Sequence, residues 1–198
     1  MKKIIIIFIC ILFVILCCFF NKDNDKNDKK IVLAEVTHSV FYAPLYVAIE
    51  KGYFKDEGLD VELILTSGAD KVSAAVLSGD AQIGLAGAES VIYIYNSDEK
   101  DYLRIFSGLT KRDGQFILSR NENNNFSLEE LRGKGVLVGR KGGMPALNFL
   151  NALDNLGIDP NDIKINYQVD FASLGGAFIG GTGDFVNLFD DKDIKRIL

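Results

Sequence analysis

The body of this 198-residue chain lacks several residue types on which common active sites depend. All three cysteines, Cys10, Cys17 and Cys18, lie near the N-terminus, so residues 19–198 offer no disulfide, cysteine metal ligand or cysteine nucleophile. A single histidine, His38, excludes a histidine pair for a metal, and no G-x-S-x-G turn is present for a serine triad. The sequence therefore predicts no catalytic set, no metal site and no cofactor.

Basic residues are also in deficit. Lysine and arginine number 22 against 27 aspartates and glutamates, which gives a formal net charge of −5. Nucleic-acid phosphates are bound by a basic face, so nucleic acid is not a predicted partner. At 48% hydrophobic and 25% charged residues, the composition indicates a globular protein with enough apolar material for a core.

A long apolar run stands at the N-terminus. Lys2 and Lys3 precede residues 4–20, which contain no charge, and residues 21–30 are only asparagine, aspartate and lysine. This layout predicts a secretory signal segment at 1–18 followed by a polar tether at 19–30. A retained single-pass anchor is the alternative, since the apolar run has the length of a short membrane span.

A cysteine at the end of the apolar run indicates lipoprotein processing. Ile15 and Leu16 lie upstream, and the small residue Cys17 directly precedes Cys18. We predict lipid attachment at Cys18, with Cys17 as the alternative site. The competing interpretation is that both cysteines are ordinary apolar residues of a signal or anchor helix.

Beyond the tether, strand-like and helix-like segments alternate, which predicts an α/β fold with largely parallel sheets. Pro44 begins a helical segment that ends near Gly58, and Ser127 with Glu130 forms a capping box. The division into lobe 1 (31–112) and lobe 2 (113–198) is placed at a polar turn. The predicted strands are 30–36, 60–66, 81–87, 102–109, 115–120, 135–139, 163–169 and 184–189. The other predicted helices are 69–79, 89–96 and 145–156, with a small-residue helix or turn at 171–181.

Ligands of open parallel sheets bind in the loops that follow the carboxyl ends of the strands. That rule selects residues 37–44, 87–90, 109–114 and 139–145. The last stretch, "GRKGGMP", has three glycines beside two cations, and its proline stands where a helix can start. It matches neither glycine motif of the nucleotide-binding folds, so a nucleotide site is not predicted.

Several residues in these loops have two interpretations. His38 is either a hydrogen-bonding ligand contact or a histidine satisfied within a turn. Tyr42 either stacks on a flat ligand or packs under the following helix. Glu89 and Ser90 open a short helix, where they either bind ligand or cap the helix.

Residues 35–95 include "FYAPLYVAIEKGYFKDEGLDVEL" and "SGADKVSAAVLSGDAQIGLAGAES". These stretches resemble the periplasmic-type substrate-binding proteins of ABC importers, in the branch for nitrate, sulfonates, taurine and thiamine precursors. The resemblance extends over residues 31–190. It implies a type II periplasmic-binding-protein-like fold with two three-layer lobes and mainly parallel sheets. It also implies an exported lipoprotein on the outer face of the cytoplasmic membrane that presents a small molecule to an ABC permease.

The same resemblance implies which residues face the ligand. Lobe 1 would contribute two loops and lobe 2 one loop. The implied ligand-binding residues are His38, Ser39, Tyr42, Glu89, Ser90, Arg140, Gly142, Gly143 and Met144. Two ligand classes remain open at this point. Arg140 and Lys141 with helix amides suggest an anion such as a sulfonate or nitrate, whereas Glu89 with Tyr42 suggests a flat, partly cationic ring such as a pyrimidine.

The chain departs from the family pattern in its length. Members of the family usually continue well beyond the "LFDDKDIKRIL" with which this sequence ends. We therefore expect that the second lobe and the return of the chain to the first lobe are truncated. The predicted function is solute binding for import, without enzymatic activity. The alternatives are a pyrimidine synthase-like enzyme on the same scaffold and a sensor module.

Overall fold

The computed structural model describes residues 29–98, 100–112 and 114–189. The predicted signal segment, Cys17, Cys18 and all of the tether except Lys29 and Lys30 lie outside these ranges. Within them, no helix has the length and apolar character needed to cross a membrane.

The first sheet has three parallel strands. They are β1 (Lys29–Glu35), β2 (Leu59–Leu65) and β3 (Ile83–Leu85), in the order β2-β1-β3. β1 is the central strand, and it begins within the predicted tether. The predicted strands at 30–36, 60–66 and 81–87 are confirmed, with β3 shorter than expected.

Four helices accompany the first sheet. They are α1 (Ala43–Glu50), α2 (Tyr53–Asp56), α3 (Ala69–Ser78) and α4 (Glu89–Tyr95). The single helical segment expected to run from Pro44 to Gly58 is wrong, because Gly52 adopts a left-handed φ of 76° and divides it into α1 and α2.

The second sheet has four strands. They are β4 (Gln115–Ser119), β5 (Gly135–Leu137), β6 (Lys164–Asn166) and β7 (Phe185–Phe189), in the order β4-β7-β5-β6. β4 runs antiparallel to β7, and the remaining pairs are parallel. Two helices pack on this sheet, α5 (Met144–Asn155) and α6 (Leu174–Ile179). The Ser127 capping box is confirmed, although it starts a 3-10 turn at Leu128–Leu131.

Helices cover both faces of the second sheet, and successive residues of each strand point to opposite faces. Phe185 and Val136 pack on the α5 side, whereas Val186 and Leu137 pack on the α6 side. Four consecutive residues of β7 are buried as a result. This arrangement is a three-layer sandwich of helix, sheet and helix.

The prediction of a strand at 102–109 is wrong. These residues form an irregular segment, and no strand in the described part of the chain pairs with them. Ile105 and Phe106 are 60% and 78% exposed. The apolar composition of the segment suggested a strand, but a strand forms only where a neighbour satisfies its backbone donors and acceptors.

The architecture is therefore mixed α/β with mainly parallel sheets, as predicted. Strands of the first sheet come from residues 29–85, and strands of the second come from 115–189. We call the two sheets with their helices lobe 1 and lobe 2. The division between 112 and 113 remains a prediction.

Candidate functional site: a cleft between the two lobes

A cleft of about 980 Å³ lies between the lobes. Lobe 1 lines it with residues 82–91 and with the start of α3, and the irregular segment 101–112 forms one side. Lobe 2 contributes residues 143–145 and 170–172, which lie beyond the carboxyl ends of β5 and β6. This volume suits a small organic molecule, and its position follows the rule for open parallel sheets.

Aromatic rings from both lobes meet on one wall of the cleft. The Phe189 ring lies 4.8 Å from Phe41, 6.0 Å from Tyr42 and 4.8 Å from Phe171, between ring centroids. Phe41 packs so closely on Gly114 that a Cβ there would lie 2.3 Å from the ring. The result is a wall suited to a flat apolar ring.

Glu89 connects lobe 1 to the first turn of α5. Glu89 is 5% exposed, and its Oε1 accepts a hydrogen bond of 3.1 Å from the backbone N–H of Met144. A negative group at a helix N-terminus is favoured by the helix dipole. The other oxygen, Oε2, has no hydrogen-bond partner within the described residues. It lies against Gly87, where a Cβ would approach it to 2.0 Å.

Two further contacts connect the 139–145 loop to lobe 1. The Tyr93 hydroxyl donates a hydrogen bond of 2.8 Å to the carbonyl of Gly142, whose φ of 79° favours glycine. Arg140 Nη2 lies 3.3 Å from Asp70 Oδ1, with both side chains about half exposed. The loop is thus connected to three different residues of lobe 1.

A buried carboxylate organises the first loop of lobe 1. Glu35 is 3% exposed, its Oε2 accepts a hydrogen bond of 2.7 Å from the Tyr46 hydroxyl, and its Oε1 lies 3.0 Å from Nδ1 of His38. The His38 ring stacks on Tyr46 at 4.4 Å. Burial, with the hydrogen bond to Glu35, raises the pKa of the Tyr46 hydroxyl. Ser39 caps the next 3-10 turn, where its Oγ accepts from the N–H of Phe41 at 3.1 Å.

The predicted site residues divide into two groups. Six of the nine line the cleft, namely Tyr42, Glu89, Ser90, Arg140, Gly143 and Met144. The other three, His38, Ser39 and Gly142, are not among the described residues that line it. His38 and Ser39 instead stabilise the loop after β1. Whether any of the nine contacts a ligand stays a prediction.

Sequence reasoning missed Glu35, Asp70, Tyr93 and the two phenylalanines of lobe 2 on the aromatic wall. Glu35 carried a usable signal, because it ends an apolar strand in which a charge needs a partner. Asp70 and Tyr93 carried no such signal, since their partners lie about 50 to 70 positions away in sequence.

Two α/β lobes with mainly parallel sheets and a solute-sized cleft between them define the periplasmic-binding-protein class of fold. The periplasmic aliphatic sulphonate binding protein SsuA of Escherichia coli has this fold. It is similar to this chain with a TM-score of 0.56 and 17% sequence identity, over 85% of this chain and 56% of that one. At that identity the likeness shows the fold alone.

Sequence similarity identifies the family. The model of the NMT1/THI5-like family matches residues 40–192, and the chain belongs to this family. The Bacillus subtilis protein named "Putative binding protein YtlA" is 43% identical over 170 residues, which is 85% of this chain and 51% of that protein. The 4-amino-5-hydroxymethyl-2-methylpyrimidine phosphate synthase of Schizosaccharomyces pombe is 21% identical over 147 residues, 72% of this chain and 41% of the enzyme. The chain thus spans about half the length of the curated relatives it matches.

Proposed function

We propose that this protein is the solute-binding component of an ABC importer. It is exported, is anchored to the outer face of the cytoplasmic membrane by a lipid on Cys18, and delivers a small organic molecule to a permease. The observation that carries this proposal is the cleft of about 980 Å³ between two lobes, which family membership and the 43% identical binding protein support. Labelling with palmitate tests the anchor: the wild type is expected to take up label and a Cys18→Ser variant to lose it. An unlabelled wild type would reject the anchor, and label retained by the variant would reject Cys18 as its site.

The proposed binding mode uses the cleft walls of both lobes. A ligand ring stacks on Tyr42 and the aromatic wall, while Glu89, Ser90 and the backbone at Gly143 and Met144 supply polar contacts. Arg140 closes the cleft from lobe 2. His38, Ser39 and Gly142 act through the loops that they stabilise, because they are not among the described residues of the cleft wall and they hydrogen-bond to other residues of the protein. Ligand binding then favours the closed arrangement of the lobes.

An enzyme on the same scaffold is the second candidate, supported by the 21% identity to a pyrimidine phosphate synthase. Binding without chemistry is favoured for two reasons. The 43% identical relative is named a binding protein, and residues 19–198 contain no cysteine to act as a nucleophile. A sensor with the same fold would also bind a solute but would act without a permease.

The test is a thermal-unfolding panel on the full chain with taurine, alkanesulfonates, nitrate and aminopyrimidines. At least one compound is expected to raise the melting temperature, because a ligand that binds only the folded state stabilises it. Gly143→Leu is expected to abolish that rise, since Gly143 lines the cleft and a Cβ there would lie 3.3 Å from the Arg140 carbonyl, so the loop would have to shift.

Gly176→Leu is the matched control. Gly176 lies on an exposed part of α6, and a Cβ there meets no atom within 4 Å. This variant should keep the ligand-induced rise. Failure of every compound to shift the wild-type chain would reject solute binding, and equal loss in both variants would reject the placement of the site.

A further inference from the structure

We propose that two copies of this chain associate through β4 of lobe 2, with the free edges of the two β4 strands paired antiparallel about a two-fold axis. The four-stranded sheets of the two copies would then join into one continuous sheet. The inference goes beyond the proposed function, because it does not depend on which solute the cleft binds.

The outer edge of β4 is open. β4 pairs with β7 along one edge over all of Gln115–Ser119, and no strand in the described part of the chain pairs with its other edge. The backbone N–H and C=O groups of such an edge are a template on which another strand can pair. Phe116 is 51% exposed on the same strand. The edge therefore offers both hydrogen-bonding groups and an apolar side chain to a second strand.

β4 lacks the protection that the other sheet edges have. Proteins commonly protect an edge strand by placing charges on it or by keeping it very short. At the other edges of the two described sheets, β2 carries Asp60 and Glu62, β6 begins with Lys164, and β3 has only three residues. β4 has five residues, and none of them is charged. Among these edges, β4 is the one best suited to pairing with another strand.

An antiparallel pair of β4 strands is self-complementary. In the register centred on Ile117, Phe116 of each copy lies opposite Leu118 of the other copy, on the same face of the joined sheet. Within lobe 2 this is the α6 face, where Leu118 packs against the buried cluster that contains Leu188. Leu188 is also the β7 residue paired with Phe116. Phe116 thus extends an existing apolar face to the sheet edge, and Leu118 of the second copy would cover it.

The charges at the two ends of β4 favour the antiparallel arrangement. Lys111 and Arg112 precede the strand, Glu122 follows it, and all three are exposed. Arg120, at the same end as Glu122, is engaged by backbone carbonyls of its own lobe. Antiparallel pairing brings the basic end of each copy beside Glu122 of the other, whereas parallel pairing would place like charges side by side. Because the same patch serves both copies, the contact closes at a dimer.

Sedimentation of the full chain in detergent tests the inference. The variants Phe116→Lys and Phe116→Glu place a charge on the β4 edge, which is how natural edge strands are protected. Phe106→Lys is the matched control, because Phe106 is also an exposed phenylalanine, at 78%, but lies outside β4. Association through the apolar run at 4–20 would be equal in all variants, so differences among them report on β4. Thermal melts confirm that each variant is folded.

The wild type and Phe106→Lys are expected to form dimers with micromolar dissociation constants. Each Phe116 variant should weaken the dimer by about tenfold or more, because two like charges would lie diagonally across the strand pair. An equimolar mixture of Phe116→Lys and Phe116→Glu should recover the dimer. Diagonal neighbours in an antiparallel pair are about 7–8 Å apart, which long side chains of opposite charge can span.

Three results would overturn the inference. A wild type that stays monomeric at about 100 μM would leave the β4 edge to a strand from another polypeptide. Dimers that persist in both Phe116 variants, or that are lost equally in Phe106→Lys, would place the contact elsewhere. A mixture of the two Phe116 variants that remains monomeric would reject the two-fold antiparallel pairing.

Discussion

The two lobes differ in how completely their sheets are covered. In lobe 2, large side chains fill both faces, with Phe149 and Leu153 on one side of the sheet and Phe178 on the other. In lobe 1, the buried cluster consists of small residues around Val72, and its partly buried neighbours are valine, isoleucine and alanine. Within the described residues, the sheet of lobe 2 is therefore filled by large side chains on both faces, whereas the cluster around Val72 in lobe 1 is a thinner layer.

The edge of the first sheet shows the same difference. β3 has three residues and pairs on one side only within the described part of the chain. Segment 101–112, which lines the same cleft as β3, exposes Ile105 and Phe106. Burial of apolar surface stabilises a fold by about 25 cal/mol per Å². Side chains as exposed as these contribute little of that stabilisation. The comparison teaches that the stability of this chain resides mainly in lobe 2, while the chemistry of the cleft depends on both lobes.

The largest expected effect comes from truncating the core of lobe 2. Phe149→Ala should lower the free energy of unfolding by about 3–5 kcal/mol, because a buried aromatic ring is lost and a cavity remains. Val72→Ala, its counterpart in lobe 1, should cost about 1–2 kcal/mol, since it removes two buried carbon atoms. Urea denaturation of both variants measures the difference. Equal losses, or a larger loss for Val72→Ala, would contradict the comparison.

A smaller effect concerns the polar organisation of lobe 1. Tyr46→Phe should cost about 1–2 kcal/mol near neutral pH, because Glu35 Oε2 would lose its hydroxyl donor while remaining buried.

The same variant should alter the alkaline pH dependence of stability. The pKa of Tyr46 is raised in the folded protein, so its contribution is fully present below about pH 10, the usual tyrosine value, and is lost as the pH rises further. Stability measured at pH 10 and above should therefore decline less steeply with pH for Tyr46→Phe than for the wild type. A parallel decline would show that Tyr46 has no such role.

The smallest expected effect is at the contact between the lobes. Arg140→Gln should change the free energy of unfolding by less than about 1 kcal/mol, because the ion pair with Asp70 is about half exposed to solvent. A loss of several kcal/mol in urea denaturation would show instead that the lobes depend on this pair for their stability.

Local sequence patterns predicted most of the fold. Proline at the start of α1 and α5, Gly79 at the end of α3 and the Ser127 capping box each act through neighbouring residues, which a pattern contains. The strand expected at 102–109 failed because strand formation depends on a distant partner. The break at Gly52 was missed because a glycine within a helical pattern does not indicate whether its φ is negative, as in a helix, or positive, as it is here.

The candidate site was predicted less completely than the fold. The carboxyl-end rule selected the loops that line the cleft, including Tyr42, Glu89 and Met144. It could not indicate that Glu89 would meet the α5 amide, or that Arg140 would be paired, because these contacts arise only when the lobes come together.

The hydrogen bond from Tyr93 to Gly142 marks a position where a fluorescent side chain would report contact between the lobes. The chain contains no tryptophan, so its ultraviolet emission comes from tyrosine alone and has no background at longer wavelengths. Tyr93 stands on lobe 1, is about half exposed and donates a hydrogen bond to the Gly142 carbonyl of lobe 2. A Tyr93→Trp variant would contain a single tryptophan, whose emission wavelength is expected to depend on whether the lobes are in contact. Closure could then be followed in real time in a stopped-flow spectrometer.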